Sequence, residues 1–346
     1  MPSARTTILP RYTMSCMDAP ILRDLVPIDR VWDRLAAVER RLLDVTEADN
    51  PFLTEIAQHL IIAGGKRYRP LLAQVAGELG PSDGDGPVEA GVAVELVHAG
   101  SLYHDDVIDN AATRHGVASV NAKWDNTAAI LGGDFLLARA SEVAAPLGEE
   151  AVALIANTYA VLCEGQVLEL QLEGSVDHGP EDYYRVIEGK TASLIRTSAR
   201  LGALTADADR DAVEAISAWA WEMGVVFQLA DDVLDIVADA EFLGKPAGSD
   251  IVEGTFTLPV LHAMAGASGR EIRSLLMGGG PYEPVAVERV IRLVVSGGHV
   301  DVVLDEATDR LRRAEDAIRG LEDRRLVAVL HTLDRYLLDR VDLART

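Results

Sequence analysis

The chain has 346 residues, a formal net charge of −23 and 49% hydrophobic residues, with aromatic residues only 5% of the whole. So acidic a chain is not a general nucleic-acid binder, and a core rich in Ala, Leu and Val but poor in rings favours helix-on-helix packing over a β-sandwich. Cys16 and Cys163 are the two cysteines, too few for a disulfide framework. No uninterrupted apolar stretch approaches the roughly 20 residues of a membrane span. Residues 1–20 lack the continuous apolar region of a signal peptide, so the expected location is cytoplasmic.

Residues 1–27 read as a disordered N-terminal extension and 28–346 as one all-α domain. From Ile28 to Val45, apolar Val31, Leu35, Val38, Leu42 and Val45 recur at helical spacing with charges between them. Gly64-Gly65 breaks the chain before a predicted helix from Arg69 to Leu79, and GPSDGDGP (80–87) has the composition of a surface loop. An apolar helix then runs from Val88 to Asp105. Further helices are predicted at about 125–146, 150–173, 181–203, 208–237, 255–267, 284–297, 299–319 and 322–341, with breaks at GKPAGSD (244–250) and MGGGPYEP (277–284). Nothing marks a linker between domains or a solenoid repeat.

A pattern of carboxylates occurs twice, as Asp105-Asp106-Val107-Ile108-Asp109 and Asp231-Asp232-Val233-Leu234-Asp235. On a helix, residues i and i+4 lie one turn apart, about 5.4 Å, on the same face. Asp105 therefore pairs with Asp109 and Asp231 with Asp235, while Asp106 and Asp232 sit beside them. Such carboxylates commonly form a solvated face. Here each follows a segment apolar around much of its circumference, VAVELVHAGSLYH (92–104) and MGVVFQLA (223–230), so the like charges are costly unless a cation neutralises them. Mg²⁺ fits: it takes one or two carboxylates and completes its shell with water and phosphate oxygens. An all-oxygen donor set disfavours zinc or copper.

Basic residues recur near helix ends: Lys66, Arg67 and Arg69 in GGKRYRP (64–70), Arg114 with His115-Gly116, Lys190-Thr191, and Lys245 in Gly244-Lys245-Pro246. Singly, each reads as a solvated turn. In order, the segments GGKRYRP (64–70), ELVHAGSLYHDDVIDNAATRHG (95–116), SVNAKWDNTAAILGGDFLLARA (119–140), EGKTASL (188–194), FQLADDVLD (227–235) and GKPAGSDIVEGTFTLP (244–259) resemble the trans-isoprenyl diphosphate synthases, the polyprenyl synthetase family.

The resemblance implies one large helical bundle around a deep central substrate cavity, normally homodimeric, with isopentenyl diphosphate and an allylic prenyl diphosphate as substrates. It implies that Lys66, Arg69 and His98 bind isopentenyl diphosphate with Arg67 close by, and that Arg114, Lys190 and Lys245 grip the allylic diphosphate, with Thr191 and Gln228 beside the forming cation. Asp105, Asp106, Asp109, Asp231, Asp232 and Asp235 would hold about three Mg²⁺ ions bridged to that diphosphate, with Asp105, Asp109 and Asp231 the direct ligands. Two positions depart from the family pattern: His115 stands where a second arginine is usual, and Thr255 where many members have lysine. Both substitutions point to weaker substrate binding rather than lost chemistry.

At about 1.5 Å rise per residue, Gly100 lies about 7.5 Å below Asp105. In the family an aromatic residue there closes the floor of the cavity. Small Gly100 and Ser101 predict an open floor and a product of more than about 20 carbons, in the range of about 30–50, with Tyr103 as a residue able to narrow the channel; simple close packing of helices is the alternative reading of Gly100 and Ser101. Three rival functions are weighed. A class I terpene cyclase would lack the second Asp motif and the isopentenyl contacts. A di-iron bundle would need two Glu-x-x-His patterns, and only Glu95 to His98 supplies one. A weakly active partner subunit would be expected to lose acidic motifs that are intact here.

Overall fold

The computed structural model describes residues 19–239 and 247–345, so Cys16, Lys245 and the break at 244–246 lie outside the described residues. Helix α1 (Ala19–Leu25) precedes α2 (Asp29–Val45). Leu22 and Val26 are buried in the core, so the packed body begins ahead of residue 28, the boundary expected from sequence. The apolar stripe of α2 is as predicted, with Val31, Val38 and Leu42 fully buried.

Helix α3 (Pro51–Ala63) was not anticipated, although its start is written in the sequence: the Asn50 side chain accepts from Phe52 N at 2.9 Å and Pro51 occupies the first turn. It stops at Gly64, whose φ of +92° suits glycine. α4 (Tyr68–Ala76) follows, extended by a 3₁₀ turn to Leu79, and then α5 (Gly86–Ile108). A small antiparallel hairpin, β1 (Thr113–Arg114) and β2 (Val117–Ala118), leads into α6 (Val120–Lys123), α7 (Asn126–Ala144) and α8 (Glu149–Leu172).

The helix predicted over 181–203 is divided. α9 (Pro180–Ile187) and α10 (Ser193–Thr205) are joined by a π-helical turn over Glu188–Ala192, and α11 (Arg210–Val237) is the longest helix described. The remaining elements are α12 (Ser249–Glu253), α13 (Leu258–Ala265), the unanticipated α14 (Gly269–Leu276), α15 (Pro284–Ser296), α16 (His299–Ile318) and α17 (Arg324–Ala344).

Two apolar cores meet at α10. Leu194 and Leu201 on one face join the core around α3, α5, α7 and α8. Ile195, Ala199 and Ala203 on the other join the core around α11 and the C-terminal helices. Each leucine is fully buried, which contributes about 1.5–3 kcal/mol relative to exposure. This shared helix fixes the end of α5 relative to the end of α11, and those two ends carry the acidic motifs.

Trp124 and Trp219 are packing residues. Trp124 meets Phe52 and His59 edge-on, and Trp219 is fully buried, its Nε1 donating to Asp334 Oδ1 at 2.9 Å. Among the arginines near 310–313, Arg310 turns inward, pairing with Glu222 at 3.2 Å and covering the Tyr184 ring.

Burial pushes the Asp334 carboxyl up to about 8. The folded chain therefore holds a proton that the unfolded chain releases near pH 4, so this residue destabilises the fold progressively as pH rises from about 4 to about 8. In chelator, Asp334→Asn keeps the acceptor for Trp219 and should raise thermal stability at pH 8.5 by on the order of a few kcal/mol, with no gain at pH 4. Paired thermal melts across that range check this; an equal gain at both ends would refute it.

Candidate active site

Asp105 and Asp109 share one face at the C-terminal end of α5. Burial raises the Asp105 carboxyl to about 6, reinforced by Asp109 and Glu169 and opposed by Lys190 and Arg114. Asp106 points elsewhere. It is fully buried, and its Oδ1 accepts from Arg114 Nε at 2.8 Å and Nη2 at 2.7 Å. The hairpin that returns Arg114 turns through His115 (φ +50°) and Gly116 (φ +77°), the two left-handed residues of a tight hairpin turn. Asn121 Nδ2 ties it down by donating to Asp106 O at 3.0 Å and Ala111 O at 3.2 Å.

The second motif ends α11. Asp231 is exposed, whereas Asp232 and Asp235 are buried. Asp232 accepts hydrogen bonds from the Tyr183 hydroxyl and from Gln228 Nε2, the latter at 2.8 Å, and burial followed by nearby Asp250 holds its carboxyl well above the usual range. Asp235 accepts from the Asp250 amide at 3.2 Å, and its carbonyl accepts from the Gly248 amide at 2.8 Å, which fastens the chain entering α12.

Between the motifs sits the π-helical turn, an irregularity frequent at functional sites. It presents Lys190 to one side, paired with Glu169 of α8 and felt by Asp105. Thr191 lies on the other, donating to Gln228 Oε1 at 2.9 Å. Glycines allow this approach. A Cβ on Gly224 would stand 2.5 Å from Ala192 Cα, and one on Gly189 would stand 3.1 Å from Gly165 Cα. Glu169 was not recognised from sequence; its signal is the placement of Gln166 and Glu169 one turn apart within apolar α8, where Gln166 Oε1 is buried without a partner.

The basic residues divide into two kinds. Arg67, the left-handed entry residue of α4 (φ +47°), spends its guanidinium on Glu39, on Glu95 at 2.8 Å and on Ile61 O at 2.7 Å. It braces the turn rather than joining the isopentenyl contacts it was expected to lie close by. Glu95 is thereby taken, which removes the di-iron reading. Arg69 is half-buried, with Nε buried and unpartnered. His98, also half-buried, is pushed well below its usual range by burial and then by Arg69, His115, Arg67 and Arg114. Those causes show that the dispersed basic residues converge on one region. Lys66 lies on the same turn, half-buried.

The chain-length residues divide as well. A Cβ on Gly100 would stand 3.1 Å from Gly133 O and from Leu137 Cγ of α7, so Gly100 serves close helix packing. Tyr103 is fully buried, its hydroxyl donating to Ile56 O of α3 at 2.6 Å, and it does not narrow a channel beside Asp105. At about 100° per residue, Ser101 shares the face of Asp105 while Gly100 and Tyr103 point about 140–160° away. Ser101 is buried and donates to His98 O at 2.9 Å. Thr255 N donates to Asp250 O at 2.8 Å.

Removing Arg67 strands Glu95 in the interior, whereas removing Arg69 takes away a cation whose buried Nε has no hydrogen-bond partner. Arg67→Ala is therefore expected to cost on the order of 3 kcal/mol in urea unfolding, and Arg69→Ala less than about 1 kcal/mol. Equal losses would contradict the division.

The sequence profile described as Polyprenyl synthetase matches residues 50–294. The nonaprenyl diphosphate synthase of Mycobacterium tuberculosis is 40% identical over 248 residues, 70% of this chain and 74% of that protein. Component 2 of the heptaprenyl diphosphate synthase of Geobacillus stearothermophilus is 37% identical over 87% of this chain and 89% of its own length. The crystal structure of a polyprenyl synthase from Caulobacter crescentus, complexed with calcium and isoprenyl diphosphate, superposes with a TM-score of 0.84 at 32% identity, covering 92% of this chain and 97% of that one. Geranylgeranyl diphosphate synthases are also among the similar proteins. With its helical architecture and both acidic motifs at facing ends of the shared core, the chain belongs to the polyprenyl synthetase family.

Proposed function

We propose that the protein condenses isopentenyl diphosphate with an allylic prenyl diphosphate to give a trans-polyprenyl diphosphate. The π-helical turn is the observation that carries this reading: it joins Lys190 beside Asp105 to Thr191 beside Gln228 and Asp232, so both acidic motifs serve one site. The donor set is all carboxylate oxygen and suits Mg²⁺, about three ions per site. When bound, Mg²⁺ supplies Lewis-acid stabilisation of negative charge on phosphate oxygens. Asp105, Asp109 and Asp231 are the ligands we assign; Asp106 and Asp232, engaged by Arg114 and by Tyr183 and Gln228, are positioning residues.

Lys190 exchanges Glu169 for the allylic diphosphate and, with Arg114, holds the charge that grows as the C–O bond breaks. Lys66, Arg69 and neutral His98 hold the diphosphate of isopentenyl diphosphate, whose double bond attacks the allylic carbon. One C–C bond forms, a proton leaves to the departing diphosphate, and the product is longer by one isoprene unit. The apolar helices exclude water that would trap the cation. A product beyond about 20 carbons is supported by small Ser101 on the Asp105 face and by the heptaprenyl and nonaprenyl relatives; a shorter, geranylgeranyl-like product is the second reading.

We further propose a homodimer through α7 and α8. Ile130, Leu131, Val167 and Leu170 are exposed there. α8 is, among the described helices, long and apolar enough to cross a membrane, with only 33% of its most apolar 18 residues buried; dimerisation would cover that face. Leu131→Lys with Val167→Lys should shift the light-scattering mass from dimer to monomer, and an unchanged mass would exclude this interface.

Incubation with Mg²⁺, labelled isopentenyl diphosphate and separate allylic primers, followed by dephosphorylation and chromatography, tests the activity. Elongation that chelator abolishes is expected; no elongation with any primer overturns the reading. Ser101→Phe should shorten the product, whereas Gly100→Phe should mainly lower stability, because it meets the α7 backbone. Full-length product from Ser101→Phe would place the floor elsewhere.

A further inference from the structure

Far along the chain from the acidic motifs, Glu315 of α16 and His331 and Asp334 of α17 turn one ligand atom each toward a common point, all within 4.8 Å of one another. His331 Nδ1 lies 3.4 Å from Glu315 Oε1 and 3.8 Å from Asp334 Oδ2. Ligands about 2.0–2.1 Å from a tetrahedral zinc ion are about 3.3 Å from each other, so small side-chain shifts would close the set. We propose that Glu315, His331 and Asp334 form a binding site for a divalent transition metal of the zinc class, with water in the fourth position.

The buried atoms supply an independent observation. Asp334 is fully buried, and its Oδ2 has no hydrogen-bond partner. His331 Nδ1 is likewise buried and unpartnered. Buried polar atoms are almost always satisfied, and one cation between these two satisfies both. The other Asp334 oxygen accepts from Trp219 Nε1, which orients the carboxylate as an outer hydrogen bond orients a metal ligand. An imidazole with two carboxylates suits zinc-class ions better than Mg²⁺. The exposed neighbour Arg335 turns its Nε to His331 O at 3.3 Å, and half-buried Glu315 and His331 leave an entry path from solvent. A metal here would staple α16 to α17 and, through Trp219, to α11.

The test uses the full chain, stripped with chelator and returned to excess Mg²⁺ so that the acidic motifs are filled, then titrated with Co²⁺. Stoichiometric visible absorption of tetrahedral intensity, displaced by Zn²⁺, is expected, together with a rise in melting temperature on adding Zn²⁺. Glu315→Gln and His331→Ala, both at half-buried positions, should lose both signals while keeping the far-ultraviolet circular dichroism of the folded chain. Asp231→Asn should retain both. Absent bands in the unaltered chain, bands that survive in His331→Ala, or bands lost in Asp231→Asn would each overturn the proposal.

Discussion

The structure turns on carboxylates held against apolar helices. Asp106, Asp232 and Asp235 are essentially buried and Asp105 largely so. An isolated charge in that setting costs several kcal/mol unless it is paired or protonated. The surrounding elements follow from this constraint. The hairpin after α5 exists at a length that returns Arg114 to Asp106, the π-helical turn delivers Lys190 toward Asp105, and Tyr183 and Gln228 close on Asp232. Asp109 and Asp231, by contrast, stay exposed at the ends of their helices, beside the half-buried Asp105.

The same separation of roles runs through the basic residues. Arg67 and Arg69 are two positions apart, yet one is locked by Glu39, Glu95 and a backbone carbonyl while the other keeps a buried donor without a partner. A site that must bind two diphosphates needs cations that are already desolvated but not already neutralised. The scaffolding charges make this possible, because Arg67 fixes the left-handed entry into α4 beside Arg69, whose Nε is buried without a partner.

Much of this was legible from spacing. The four-residue interval within each Asp motif, the apolar segments before them and the stripe of α2 specify helices and their buried faces directly. Other features lay below that resolution. The hairpin has two residues per strand, too few for any alternation to register. The π-helical turn costs one residue of phase inside an otherwise regular helix, and only its contacts with Gly165 and Gly224 reveal it. α3 ends in the β-branched pair Ile61-Ile62 and lies between stronger signals, so its Asn50-Pro51 cap was the one cue. Gly100 was misread because depth along a helix was counted without its rotation: five residues carry a side chain well past the face of Asp105.

His115 shows how such a local substitution is absorbed. Its left-handed backbone is favourable only at a turn, so the hairpin constrains it whatever its side chain does. The ring lies against Gly65, while burial and then Arg114 and Arg67 lower its affinity for a proton against the pull of Glu95. A neutral imidazole there adds little attraction for a diphosphate. It instead packs the hairpin that carries Arg114 against the turn that carries Lys66 and Arg69. An arginine at this position would reach further and bring charge, but it would compete with Arg67 for Glu95. The departure from the family pattern thus exchanges one unit of positive charge for a packing contact between the hairpin and the turn, and it leaves the acidic motifs untouched.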